Sequence, residues 1–287
     1  MQEPRGHSGM YGALITPPTT PDGQLGVIFM HNEGYSTMCG HGIIALAKVA
    51  VELCLVEARE GQNIIQIDAP AGRVVAKAFV RQGRMSQTSF ENVPAFVYAR
   101  NIEFKLPGIG PVQADIAFGG AFYAYVEAES LGVKIVPDQI DRLVELGMAI
   151  KRQVAEKVQI VHPNEPDLGF LYGTIITGPV SRTEDGLESK NVTIFAEAQV
   201  DRSPTGTGTS GRLALLHDQG LIKQGERLVN KSIIDTAFWG EIKGRTQVGD
   251  FPAVVTEIGG QAQITGFHQF VLEPDDPLPE GFRLVGS

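Results

Sequence analysis

The sequence predicts an α/β chain built from two copies of one strand-rich unit, each folded around a helix. Three observations carry that expectation. Nine short apolar runs of strand length, bounded by Gly, Pro and Asn, stand against three helical patterns. A Gly-rich turn occurs twice, as Cys39-Gly40-His41-Gly42 and as Thr205-Gly206-Thr207-Gly208, 166 positions apart. At that same offset the segments after the turns end alike, Leu55-Val56 falling on Leu221-Ile222 and Glu60 on Glu226. A turn, a helix and an exit therefore repeat together.

In chain order, strands are expected at residues 27–30, 64–67, 74–80, 112–118, 121–126, 171–177, 192–195, 254–258 and 268–272, where β-branched and aromatic residues gather between turn formers. The first helix is expected over 42–54. There Ile43, Leu46, Ala47, Ala50, Val51 and Cys54 follow helical spacing, a stripe that faces a core and makes Cys54 a small buried hydrophobe. The second is expected over 139–157 with Asp138 as its N-cap, and the third over 208–219, closed by Gly220. Pro107, Gly108, Gly110 and Pro111 mark a connector. It divides the chain into a first unit over 1–108 and a second over 109–267, with residues 268–287 packing back on the first.

Composition narrows the function. A chain of 287 residues, 43% of them hydrophobic, is long enough for two cores. Lys and Arg number 24 against 33 Asp and Glu, and a net charge of −9 argues against a nucleic-acid partner. The apolar stretch 43–51 is interrupted by Lys48 and falls far short of the roughly 20 residues that cross a bilayer. Residues 1–10 carry Glu3, Arg5 and His7 and no apolar leader. With only two cysteines, a disulfide framework is not expected and a reduced, cytoplasmic setting is. The six histidines lack ligand spacing such as H-E-x-x-H, so no metal is expected.

Each Gly-rich turn sets a small nucleophilic side chain at a helix start, followed by residues without bulk. The first N–H groups of a helix have no intrahelical partners and carry the positive end of the macrodipole, so they attract anions. Two such termini facing one cleft would hold a carboxylate. The same positive end favours the thiolate of a cysteine in the first turn, which makes Cys39 a candidate general base. His41 reads either as part of that site or as a polar residue of the first turn. Asp201 and Ser203 read equally as turn or capping residues, and Pro274-Asp275-Asp276-Pro277 as a solvated turn rather than a carboxylate pair.

Residues 32–42, Asn-Glu-Gly-Tyr-Ser-Thr-Met-Cys-Gly-His-Gly, and residues 201–208, Asp-Arg-Ser-Pro-Thr-Gly-Thr-Gly, closely resemble the two signature loops of the proline racemase family. Residues 3–7 (Glu-Pro-Arg-Gly-His), 118–123 (Phe-Gly-Gly-Ala-Phe-Tyr) and 170–174 (Phe-Leu-Tyr-Gly-Thr) extend the likeness along the chain. In that family the second loop reads Asp-Arg-Ser-Pro-Cys-Gly in racemases and 4-hydroxyproline epimerases. Thr205 at the cysteine position is the mark of the trans-3-hydroxy-L-proline dehydratase branch. By position, the resemblance implies that Cys39 is the acid/base cysteine. Backbone groups of Gly40, His41, Gly206 and Thr207 would hold the substrate carboxylate, and Asp201 would take the ring ammonium.

The implied fold is that of diaminopimelate epimerase-like proteins: two pseudo-symmetric α/β units, each a mostly antiparallel sheet around a central helix, with the active site in the cleft between them. A homodimer without cofactor is implied, acting on a small imino acid. The alternatives are a proline racemase or 4-hydroxyproline epimerase, and a non-catalytic imino-acid binder. Family members carry a further N-terminal segment, with a strand and a Met-His-Thr-Gly-Gly-Glu type motif, before the stretch matched by residues 3–7. By the repeat, that strand would be the counterpart of the Gly119-Gly120 region.

Overall fold

Strands form where alternating residues can bury one face, as in residues 72–81, whose Val74, Ala76, Ala78 and Val80 point inward while Arg73 and Lys77 do not. The computed structural model describes residues 1–7, 9–32 and 34–282, so Glu33 of the first signature loop lies outside the described residues. Its first series of elements is β1 (Tyr11–Thr16), β2 (Leu25–His31), β3 (Gly34–Ser36), α1 (Gly40–Glu52), β4 (Gly61–Ala69), β5 (Gly72–Arg81) and β6 (Arg84–Glu91). Next come β7 (Ala95–Leu106), β8 (Gly110–Phe118), β9 (Phe122–Glu127) and α2 (Ile140–Lys157). The second series is β10 (Leu171–Thr177), β11 (Ser181–Thr183), β12 (Gly186–Phe195), β13 (Gln199–Val200), α3 (Gly206–Asp218), β14 (Arg227–Lys231), β15 (Ala237–Val248) and β16 (Phe251–Gly260).

The two series are copies. Helices α1 and α3 start and end 166 positions apart. The neighbour order β1-β2-β4-β5-β6 in the first recurs as β10-β12-β14-β15-β16 in the second. In each, the second strand of that order pairs in parallel with the third across a connection that contains the helix, and the remaining pairs in that order are antiparallel. Even the helix exits match: the N–H groups of Leu55 and Val56 donate to Ala50 O, and those of Leu221 and Ile222 to Leu216 O.

The second copy closes on itself. From β16 the sheet passes through β15, β14, β12, β10, β9, β8 and β7 and returns to β16, where Ala253 and Val254 pair with Phe96 and Ala95. Helix α3 runs inside this barrel and is buried all round from Gly206 to Leu216, which is why it lacks a polar face. The sheet of the first copy joins the barrel through β6 and β16 and wraps α1. Ile43, Ala47 and Ala50 pack there with Phe29, Ile65 and Phe90. Helix α2 lies against β10 and β12 with Leu143, Leu146, Ile150 and Val154 buried. No helix among the described residues is long and apolar enough to cross a membrane.

Several expectations require correction. Helix α1 begins at Gly40 and ends at Glu52, so Cys54 is not in its stripe. It is exposed, with φ +57, at the place where the second copy has Gly220 with φ +73. Asp138 sits in a 3-10 turn, and the N-cap of α2 is Gln139, without a side-chain bond. Residues 106–111, expected as a connector, turn the β7–β8 hairpin, where Leu106 pairs with Gly110. Ala95 belongs to the first apolar cluster and Phe96 to the second, and the first cluster also takes in Leu213, Leu216, Val254 and Ile258 of the second copy. No strand forms over 268–272. Its Phe270, Val271 and Leu272 are exposed, because a strand needs an edge to pair with and none among the described residues meets it. Further on, the tail returns to the N-terminus: Phe282 bridges to Glu3, and Arg5 donates to Asp276 (3.4 Å) and Pro279 O (2.6 Å).

Candidate active site

The two Gly-rich turns touch because neither has a side chain at the contact. A Cβ on Gly40 would lie 2.5 Å from Gly206 Cα, and one on Gly206 would lie 2.6 Å from Gly40 Cα. Helices α1 and α3 therefore abut at their N-termini, where the first N–H groups of a helix lack intrahelical partners. The loop before β9 packs on the same place: a Cβ on Gly119 would meet Thr207 O at 2.3 Å, and Gly120 has φ +109.

The residue before each helix differs between the copies. Cys39 is buried in an extended conformation, and its Sγ accepts from the Gly42 N–H at 3.4 Å. Thr205 is equally buried but has φ +65, and its side chain does not cap α3. Its hydroxyl donates to Asp201 Oδ2 (2.8 Å) and shares a hydrogen bond with the Thr193 hydroxyl (2.7 Å). Left-handed φ strains a β-branched residue, at a cost of about 1–3 kcal/mol, and persists only where its surroundings enforce it.

Asp201 links the copies. Its Oδ2 lies 3.4 Å from His41 Nδ1, and its Oδ1 accepts from the Ser203 N–H at 2.8 Å. Ser203 Oγ meets His41 Nδ1 (3.0 Å) and accepts from the Thr205 N–H (3.1 Å). Asp201 and Ser203 are thus turn-forming residues, and Asp201 also faces the cavity. Burial alone would pull the His41 pKa down, but the neighbouring charges of Cys39 and Asp201 outweigh it and hold the ring well above its ordinary value. Burial opposes ionisation of Asp201 too. The His41 charge and the bonds from His41, Ser203 and Thr205 overcome it and keep the carboxyl below its usual range. The two form an ion pair at the cavity wall, with Asp201 buried and His41 partly exposed.

Between the helix starts lies a cavity of about 20 Å³, room for a single water. All seven residues singled out by sequence line it: Cys39, Gly40, His41, Asp201, Thr205, Gly206 and Thr207. A ring-sized ligand requires its walls to part. Alongside runs a groove of about 1020 Å³ that shares Tyr11, His41, Phe195 and Asp201 with it and extends past Trp239. The groove is larger, but the thiol, the carboxylate and the helix termini converge on the narrow cavity.

Sequence reasoning missed the aromatic walls. Tyr123 bonds Thr207 Oγ1 (2.9 Å), and Tyr172 stacks on Phe195 with ring centroids 5.6 Å apart. Both tyrosines lie in segments noted for their family likeness, 118–123 and 170–174. Tyr11, Thr193 and Phe195 had no such signal. They come from strands whose alternation says which face is inward but not what it meets. Tyr11 packs against His41 (5.6 Å) and Phe195 (6.3 Å). Burial, together with the Cys39 and Tyr172 charges, drives its pKa up.

The chain is similar to known proteins along nearly its whole length. A family model described as proline racemase matches residues 1–283. A protein of Bacillus cereus named trans-3-hydroxy-L-proline dehydratase is 45% identical over 284 residues, 99% of this chain and 84% of its own. One of Clostridioides difficile named proline racemase is also 45% identical, over 289 residues, with the same shares. A crystal structure of a hydroxyproline epimerase from Agrobacterium vitis, with bound trans-4-hydroxy-L-proline, superimposes with a TM-score of 0.93 at 31% identity, covering 100% of this chain and 81% of that one.

Proposed function

Since the chain belongs to the proline racemase family, we propose that it is a cofactor-independent lyase that dehydrates trans-3-hydroxy-L-proline to pyrroline-2-carboxylate. The observation that carries this reading is Thr205 at the position repeated by Cys39: one thiol and one hydroxyl flank the cavity, not two thiols.

The substrate carboxylate sits on the N–H groups of Gly40, His41, Gly206 and Thr207, and the ring ammonium on Asp201. Fixed donors at two helix starts stabilise the negative charge that develops as the α-proton leaves, and they need no reorganisation. The Cys39 thiolate is the base. In trans-3-hydroxy-L-proline the hydroxyl lies on the ring face that carries the α-hydrogen, so elimination toward Cys39 is syn. Thr205 belongs to the other copy, its hydroxyl is far less acidic than a thiol, and its proton already serves Asp201. Inversion is thereby suppressed.

Incubation in heavy water with trans-3-hydroxy-L-proline, trans-4-hydroxy-L-proline and L-proline, followed by NMR, tests the reading. It predicts pyrroline-2-carboxylate from the first and no inverted, α-deuterated product from the others. Inversion of either would favour the racemase or epimerase reading, which the equally similar Clostridioides difficile relative supports. Binding of pyrrole-2-carboxylate without turnover of any substrate would leave a non-catalytic binder.

A further inference from the structure

A syn elimination leaves one proton to account for. Cys39 as thiolate takes a proton from the α-carbon, and the departing hydroxyl needs one on the same face. Thr205 is on the wrong side and committed to Asp201. His41, the other acid at the cavity, is held in the ion pair with Asp201. Of the phenols that line the cavity, Tyr123 bonds Thr207 and Tyr172 bonds Ser36, which leaves Tyr11, carried by β1 in the same copy as Cys39. Its ring is wedged among Phe29, His41 and Phe195. Its phenol feels the charge of Cys39, and Ser36 Oγ bonds Tyr172 OH at 2.7 Å. Tyr11, Cys39 and Tyr172 all line the same cavity.

We propose that Tyr11 is a catalytic residue that gives its hydroxyl proton to the departing 3-hydroxyl and takes its replacement from Cys39. The proposal rests on the dehydratase reading above. The C–H electron pair at the α-carbon becomes the new C=C bond as the C3–O bond breaks. The oxygen leaves as water with the Tyr11 proton, and the Cys39 S–H, formed by α-proton abstraction, reprotonates the tyrosinate. Thiolate and phenol are both restored, and no further reactant is needed. Burial beside Cys39 keeps the phenol protonated, which makes it a weak acid by itself. The thiol behind it supplies the driving force, because a thiol of ordinary pKa about 8.5 is far more acidic than the water formed.

Tyr11→Phe removes the hydroxyl and keeps the ring. In heavy water, dehydration of trans-3-hydroxy-L-proline by the variant should fall about 10²–10⁴-fold, the usual worth of a positioned acid. Recovered substrate should still exchange its α-hydrogen for deuterium with retention, because Cys39 is untouched. Trans-3-fluoro-L-proline, whose leaving group departs without a proton, should lose fluoride at close to the wild-type rate. A variant in which exchange, fluoride loss and dehydration all fall together would make Tyr11 a packing residue and overturn the relay. Undiminished dehydration would do the same. Failure of the wild type to dehydrate would instead sink the dehydratase reading itself.

Discussion

Gly40→Ala tests whether the two helix starts must touch. The new Cβ would lie 2.5 Å from Gly206 Cα, 3.1 Å from Gly206 C and 2.9 Å from Phe90 Cζ. Ordinary contact begins at 3.4 Å, so the first turn of α1 must withdraw by about 1 Å, and the opposing backbone has no rotamer with which to yield. Overpacking of this kind costs about 1–3 kcal/mol, or a fall in Tm of about 2–10 °C. Helix propensity alone predicts the opposite sign, since Ala is better than Gly by about 1 kcal/mol. A displacement of about 1 Å at the reacting groups costs about 100-fold in rate. The assay pairs thermal unfolding with kcat/KM for dehydration, measured well below the Tm of the variant. Gly244→Ala in β15, where nothing lies within 4 Å of the new Cβ, is the control and should stay within about 0.5 kcal/mol of wild type. If Gly40→Ala keeps both its Tm and its rate, the helix starts do not touch in solution and the shared carboxylate site is wrong.

Cys39→Ser should reduce dehydration about 10²–10⁴-fold with little change in Tm; a rate near wild type would remove the thiol from the mechanism. Thr205→Cys should gain solvent-deuterium incorporation with inversion on L-proline or trans-4-hydroxy-L-proline, and a folded, thiol-reactive variant that inverts neither would disprove the two-sided geometry. Asp201→Asn should weaken binding of the imino acid about 10–100-fold, from a lost charge-assisted hydrogen bond of about 1.5–3 kcal/mol, as read by calorimetric titration; unchanged affinity would leave Asp201 as a turn residue only. The stability due to the His41–Asp201 pair should be bounded on both sides. His41 is raised above 6.5 in the folded state, so its contribution is complete below pH 6.5 and is lost as pH rises through the raised value. Asp201 is lowered below 3.8, so its contribution is present above pH 3.8 and is lost as pH falls through the lowered value. The Tm advantage of wild type over His41→Asn should peak between these limits, and an advantage that grows above pH 6.5 would mean the folded ring is neutral.

The repeat was legible in the sequence because a Gly-rich helix start tolerates few residues: side chains at Gly40 and Gly206 would collide, so both copies keep the same turn. The same constraint exposed the polar half of the site, since Cys39, Asp201 and Thr205 stand on or beside those turns. Strand patterning located β2, β4, β5, β8, β9, β10, β12 and β16, although it missed β1, β3, β6, β7, β11, β13, β14 and β15, most of which are short or carry polar residues. Helical spacing misplaced Cys54, because an apolar residue two positions past a helix end fits the stripe as well as one inside it. What only the tertiary structure decided is where distant faces meet. Whether residues 106–111 separate units or turn a hairpin depends on the pairing of β7 with β8 and β16. A strand pattern at 268–272 is silent on whether an edge is there to pair with it. Tyr11, Tyr172 and Phe195 converge on Cys39 from β1, β10 and β12, strands far apart in sequence. No local pattern encodes that meeting; closure of the sheet around two abutting helices does.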